Sequence, residues 1–170
     1  MKQLIRISAL SALLVSLTGC VGYQLGSMLP KDIQTVYVPT FVNATSEPFL
    51  ETETTRAAIR EIQRDGSLRI ADEKDADSVL FVKIVSYELS PLVYEQSNRS
   101  RPSQYRAITY ADVVLQRRSN GEILARKRGL RGDTTFDFSG DITTAKRNAL
   151  PQVATDLAHD IIELIVETWN

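Results

Sequence analysis

Residues 79–89 read Val-Leu-Phe-Val-Lys-Ile-Val-Ser-Tyr-Glu-Leu. Leu80, Val82 and Ile84 alternate with Val79, Phe81 and Val85, so both faces of the run are apolar at its start. β-Branched and aromatic residues dominate it, which is strand composition. Two apolar faces predict a central strand, because an exposed strand keeps one face polar. Pro91 weakens the pattern, and the polar stretch from Tyr94 to Pro102 reads as a loop.

Downstream, Tyr105–Arg118 and Glu122–Leu130 are strand-like and are joined through Ser119-Asn120-Gly121. Asn-Gly tolerates positive φ, so the pair predicts a hairpin. Two registers are open. A two-residue turn pairs Leu115 with Arg126 and mixes the faces. A three-residue loop with Gly121 in a bulge pairs Leu115 with Ala125, Val113 with Lys127 and Arg117 with Ile123. The second is preferred because Val113, Leu115, Ile123 and Ala125 then share an inward face. Gln116, Arg118, Leu124, Arg126 and Arg128 would face outward.

Upstream, Thr35–Val42 reads as a strand with Val36, Val38 and Thr40 on one face. Pro39 lacks an N–H, which predicts an edge or a bulge there. Ser46 is the candidate N-cap of a helix over Glu47–Arg64, in which Leu50, Thr54, Ala58 and Ile62 recur every four residues. Asp65-Gly66 ends it, and Leu68–Ile70 has room for a short strand. A last helix over Thr144–Thr168 carries the stripe Leu150, Val153, Leu157, Ile161, Leu164 and Thr168. Pro151 should bend it or break it near Ala149. The order β-α-β-β-β-α predicts an α+β fold, a two-layer sandwich with two helices on one face of a mostly antiparallel four-stranded sheet.

The first residues have a separate logic. Lys2 and Arg6 precede the apolar run Ile7–Leu17, and Leu17-Thr18-Gly19-Cys20 closes it. This is the layout of a secretory signal peptide. Eleven helical residues rise roughly 16 Å, about half of a ~30 Å hydrocarbon core. The division predicted is a signal peptide at 1–19, a lead-in at 20–33 with breakers Gly22, Gly26 and Pro30, and one domain at 34–170. Cys20 is the sole cysteine, so no disulfide forms within a monomer.

Losing Lys2 and Arg6 from 20 basic residues leaves 18 against 21 acidic ones, a mildly acidic mature chain. The charge is unevenly spread. Nine Arg and Lys residues stand between Arg99 and Arg131, against only Asp112 and Glu122. Such a block points to an anionic partner. Arg117, Arg118, Arg126, Lys127 and Arg128 are the candidate phosphate ligands, since a guanidinium fork matches phosphate oxygens. Leu124 among them could touch an acyl chain. An equally weighted alternative is a solvated hairpin whose charges guard an edge strand.

Catalytic patterns are absent. The chain has one histidine, His159, read as a helix residue at the edge of the apolar stripe. There is no Gly-x-Ser-x-Gly, no P-loop and no His or Cys pair at metal spacing. Asp133, Asp137 and Asp141 run through a Gly-containing loop without EF-hand spacing. The expectation is a non-enzyme without cofactor or metal.

Leu17-Thr18-Gly19-Cys20 resembles the lipobox of bacterial lipoproteins. That resemblance implies cleavage between Gly19 and Cys20, S-diacylglycerol and N-acyl groups on Cys20, and, with Val21 rather than Asp next, an outer-membrane anchor facing the periplasm. Further along, Gly22-Tyr23-Gln24-Leu25, Leu29-Pro30, Ile33, Val36-Tyr37-Val38, Phe41, the Arg-bearing hairpin with Asn120-Gly121, and Asp156-Leu157-Ala158 with Ile161-Ile162 resemble, in that order, the LptE family of lipopolysaccharide-assembly lipoproteins. The resemblance implies a two-helix, four-stranded sandwich that plugs and assists assembly of an LptD-type β-barrel and contacts lipopolysaccharide. A general envelope lipoprotein, serving as structural or adaptor subunit of another outer-membrane complex, stays open beside it.

Overall fold

The apolar run at 79–89 opens a longer strand that continues to Tyr94. The computed structural model describes residues 29–96, 100–138 and 140–167; the expected signal peptide at 1–19, Cys20, Arg99 and Thr168 lie outside them. Its elements are β1 (Thr35–Tyr37), β2 (Val42–Asn43), α1 (Leu50–Asp65), β3 (Arg69–Ile70), β4 (Ser78–Tyr94), β5 (Pro102–Arg117), β6 (Ile123–Asp137) and α2 (Ile142–Glu167).

Strand β4 is central, as its two apolar faces predict. It pairs antiparallel with β5 from Ser78 opposite Arg117 to Tyr94 opposite Pro102. Its other edge accepts β1 and then β2, both parallel. The sheet order is β3-β1-β4-β5-β6, with β2 beside β4. The α+β sandwich is therefore present, but its sheet is mixed and has six strands rather than four. The parallel pairs have a topological cause. α1 carries the chain back between β1 and the later strands, so β3 and β4 run in the direction of β1.

The strand expected at Thr35–Val42 is two short pieces. Tyr37 lies opposite Val79 and Val42 opposite Lys83, so five residue steps on one side meet four on the other. The extra residue falls around Pro39, which has no N–H to give the ladder. The bulge reverses the phase. Phe41 enters the core, and Thr40, expected beside Val36 and Val38, is exposed.

Helix α1 starts later than the Ser46 cap implies. Asn43 captures the entry segment: its Oδ1 accepts from the Thr45 N–H (2.9 Å) and hydroxyl (2.8 Å), and its Nδ2 donates to the Glu47 carbonyl and the Glu51 carboxylate, both at 2.8 Å. This local turn competes with helix. Phe49, at φ 66°, becomes the N-cap without a side-chain cap bond. Helix α2 runs through Pro151 unbroken. Asp141 caps it, accepting from the Thr144 N–H at 2.8 Å.

Both helices cover one sheet face. Leu50, Ala58 and Ile62 of α1 and Leu157, Ile161 and Ile165 of α2 bury against Val36, Leu80, Ile84, Val113 and Leu115. Gly132 lets α2 approach, since a Cβ there would sit 3.1 Å from the Leu157 Cα. The opposite face has no layer over it among the described residues, and Phe81 on it is 47% exposed.

Candidate functional site at the basic hairpin

The β5–β6 turn is one residue longer than the expected three-residue loop: the Arg117 N–H donates to the Glu122 carbonyl at 2.7 Å, so residues 118–121 form the loop. Gly121 takes φ 74°, and its N–H reaches the Arg117 carbonyl at 3.0 Å. Asn120 Oδ1 accepts from the Glu122 N–H at 3.0 Å. Leu115 faces Ala125 and Val113 faces Lys127, as the preferred register demands. One step nearer the turn, the register slips. Gln116, not Arg117, lies opposite Ile123, so Leu124 is an extra residue in a bulge. The slip exchanges two side chains. Leu124, expected outward among the arginines, is 4% exposed in the core, and Ile123, expected inward, is 43% exposed. An acyl contact through Leu124 is thereby removed.

The five candidate cations also separate. Arg117 is committed: its guanidinium pairs with Asp32 and, through Nε, with Glu122 at 2.9 Å. Those two carboxylates, Asp32 first, raise its pKa further above the ordinary value. Its role is to fasten the lead-in to the hairpin. Asp77 completes the junction. Its Oδ2 accepts from the Gln34 N–H (3.1 Å), the Thr35 N–H (2.9 Å) and the Thr35 hydroxyl (2.7 Å). The bond from the Thr35 hydroxyl is the largest influence holding this carboxyl below its ordinary 3.8. The Asp77 carbonyl takes the Arg118 N–H at 2.8 Å. Asp32 and Asp77 carried no local signal, because each acts on a segment dozens of residues away.

Arg118, Arg126, Lys127 and Arg128 remain exposed and pair with no acidic side chain among the described residues. Arg126 lies opposite Val114 on the face away from the helices, and Lys127 opposite Val113 on the helix side. Gly129, at φ 60°, turns its N–H to Asp112 Oδ1 at 2.9 Å and opens a second bulge beside Arg128. Arg118 itself lines a recess of about 300 Å³, with Lys74 and Arg117 and with the carboxylates of Asp32, Asp75 and Asp77. Its carboxylates make it unsuited to a phosphate.

The three loop aspartates do unrelated things. Asp133, within β6, pairs with Arg131 at 2.8 Å and Arg106 at 3.6 Å; Asp137 takes a bond from Gln104; Asp141 caps α2. No cluster of metal-ligating side chains occurs among the described residues. His159 lies exposed on α2 and bonds Glu61 of α1 at 3.1 Å, which raises its pKa. About 30 Å along β4 from the hairpin, Lys146 pairs with the nearly buried Glu47 and sits 5.5 Å from the Tyr87 ring centroid. Burial first, then the Glu47 charge, pushes the Tyr87 hydroxyl up to about 12.

The family model described as lipopolysaccharide-assembly, LptE, matches residues 33–167, which is the whole described domain apart from its lead-in. The chain belongs to the LptE family. The LptE resemblance read from the ordered motifs is thus borne out. No curated protein sequence matches the chain. Among solved structures, the PelC dodecamer from Paraburkholderia phytofirmans is similar at TM-score 0.50 and 18% identity, covering 82% of this chain and 94% of that one. A Xanthomonas campestris protein reaches TM-score 0.52 at 14% identity, covering 80% and 88%. A hypothetical protein of Chlamydia trachomatis reaches 0.52 at 10%, covering 78% and 98%. At such identities the likeness is one of fold. LptE membership makes this a lipopolysaccharide-assembly protein of the cell envelope. No helix among the described residues is long and apolar enough to cross a membrane.

Proposed function

We propose that the mature chain is an outer-membrane lipoprotein, cut after Gly19 and acylated on Cys20, that serves the lipopolysaccharide transport machinery as a non-enzymatic subunit. In this reading it faces the periplasm, seats in and assists assembly of an LptD-type β-barrel, and meets lipopolysaccharide phosphates through Arg118, Arg126, Lys127 and Arg128. The LptE match over residues 33–167 carries the reading. The four exposed cations, without acidic partners among the described residues, support the phosphate contact. Arg117 is left out of it because Asp32 and Glu122 already occupy its donors.

Affinity purification of the tagged protein in mild detergent tests the partnership. Co-recovery of a large β-barrel is the expected result. Recovery of a different outer-membrane complex would favour the adaptor reading. Reversing Arg118, Arg126 and Arg128 to Glu should weaken lipopolysaccharide binding, with circular dichroism unchanged. Undiminished binding would remove the phosphate role.

A further inference from the structure

At the other end of β6 the chemistry changes. Between the last residues of β6 and the first turns of α2 lies a recess of about 310 Å³. Its α2 wall is a polar stripe. Thr144, Asn148 and Gln152 recur every four residues and so share one helix face, with Ala145 and Ala149 beside them. Alanine at both positions keeps the space open, since a larger side chain there would fill it. The β6 wall includes Phe136 and Asp137. The Phe136 ring stacks on Tyr105 at 6.0 Å, and Tyr105 meets Phe138 edge-on at 5.4 Å, so the ring is held in place.

Polar atoms around this space are unspent. The exposed Asn148 amide has no hydrogen-bond partner among the described residues. Gln152 donates to Asp156 at 2.8 Å and keeps its amide oxygen free. Asp137 accepts from Gln104 at 3.1 Å through one oxygen and keeps the other. Among the described residues no Arg or Lys lines the recess, while the Asp137 carboxylate does. Such a lining repels a phosphate and suits an uncharged ligand rich in hydroxyls. A pyranose ring has that chemistry. Its hydroxyls bond amides and carboxylates, and its C–H bonds carry the partial positive charge that an aromatic face attracts. The volume is at the small end of ligand sites, about 300–1,000 Å³, which favours one sugar residue over an extended chain.

The recess and the hairpin cations match different parts of one molecule. Ten residue steps of β6 separate Arg126 from Phe136, about 30 Å. Lipopolysaccharide carries phosphates beside its acyl chains and saccharide beyond them. We propose that the recess between β6 and α2 binds a neutral sugar of the lipopolysaccharide saccharide, with Phe136 as platform and Asn148, Gln152 and Asp137 bonding its hydroxyls. This rests on the lipopolysaccharide reading above and leaves Arg118, Arg126, Lys127 and Arg128 to the phosphates. It gives β6 a direction, from a phosphate end to a sugar end. A seat inside a β-barrel accommodates it, because a barrel interior is polar and receives a saccharide without desolvating it against lipid.

The test presents the full mature chain, in mild detergent, with core oligosaccharide freed of lipid A by mild acid and then dephosphorylated. Saturation-transfer NMR and calorimetry read the binding. The oligosaccharide should bind, and N148A/Q152A should weaken it about twentyfold, at roughly fivefold per hydrogen bond lost. Both positions are exposed on α2 and alanine favours helix, so the fold should hold. Ala145→Phe, which fills the recess, should abolish binding with circular dichroism unchanged. R118E/R126E/R128E should leave oligosaccharide binding as it was while weakening intact lipopolysaccharide. No binding of the oligosaccharide, an unchanged N148A/Q152A, or equal binding of the peptidoglycan disaccharide would overturn the sugar site. If the oligosaccharide binds and the arginine reversals leave lipopolysaccharide binding undiminished, the sugar site stands and the phosphate reading falls.

Discussion

Leu124→Ala and Ile123→Ala should differ sharply in cost, and the difference tests the bulge that shapes the hairpin. Both changes remove three carbons. Leu124 is 4% exposed and sits in the core with Ala125 and Leu115. At about 0.8 kcal/mol per buried methylene, the transfer loss alone is about 2.4 kcal/mol. The unfilled space under α2 adds to it, for a total of about 3–4 kcal/mol. Ile123 is 43% exposed, so roughly half the transfer loss applies and no enclosed cavity forms. With a few tenths for the poorer strand preference of alanine, its cost is about 1–1.5 kcal/mol. Guanidinium unfolding with a shared m-value measures both. In a domain of this size the gap of about 2 kcal/mol should separate the melting temperatures by about 4–8 °C. A larger loss at Ile123 would refute the bulge and restore the register that places Arg117 opposite Ile123. Equal losses would mean that neither residue is buried at the start of β6.

Three more outcomes are expected. Lys146→Met should cost about 3–5 kcal/mol by stranding Glu47, which is 9% exposed; adding Glu47→Gln should recover most of the loss in a double-mutant cycle. Asp77→Ala should cost about 2 kcal/mol by orphaning the Gln34 and Thr35 donors. The folded pKa of Asp77 is depressed, so its contribution is present above the ordinary 3.8 and fades as pH falls through the lower folded value; acid titration of the stability difference checks this. His159 has the opposite sign. Its pKa is raised by Glu61, so the pair contributes fully below the ordinary 6.5 and is lost as pH rises through the folded value. His159→Ala should therefore cost about half a kcal/mol near pH 5.5, discounted for an exposed pair, and nothing near pH 9 when the two unfolding curves are compared.

Much of the molecule was legible without coordinates where neighbours in sequence are neighbours in space. The alternation at 79–89 placed β4 in the middle of the sheet, the four-residue repeats placed both helices, and Asn120-Gly121 placed the hairpin turn. Leu115 opposite Ala125 followed from the same period-two pattern. Local signals failed where a rival local bond or a single inserted residue intervened. Asn43 holds the entry segment in a turn where a Ser46 cap was expected, the bulge near Pro39 reversed the faces after it, and the bulge at Leu124 exchanged Leu124 and Ile123 at the turn end of β6. One inserted residue turns the side chains on one side of it over, and no propensity records it.

The sequence by itself determined the cationic block from Arg99 to Arg131, the α+β class and the ordered motifs of the LptE family, because these reside in composition, period and chain order. Tertiary structure alone decided which cations remain available. Arg117 has the same chemistry as Arg118, yet it is spent on Asp32, 85 residues away. Leu124 and Ile123 have nearly the same hydrophobicity, yet one is core and the other faces solvent. Both distinctions depend on contacts between segments that folding brings together, and their energies exist only once those segments meet.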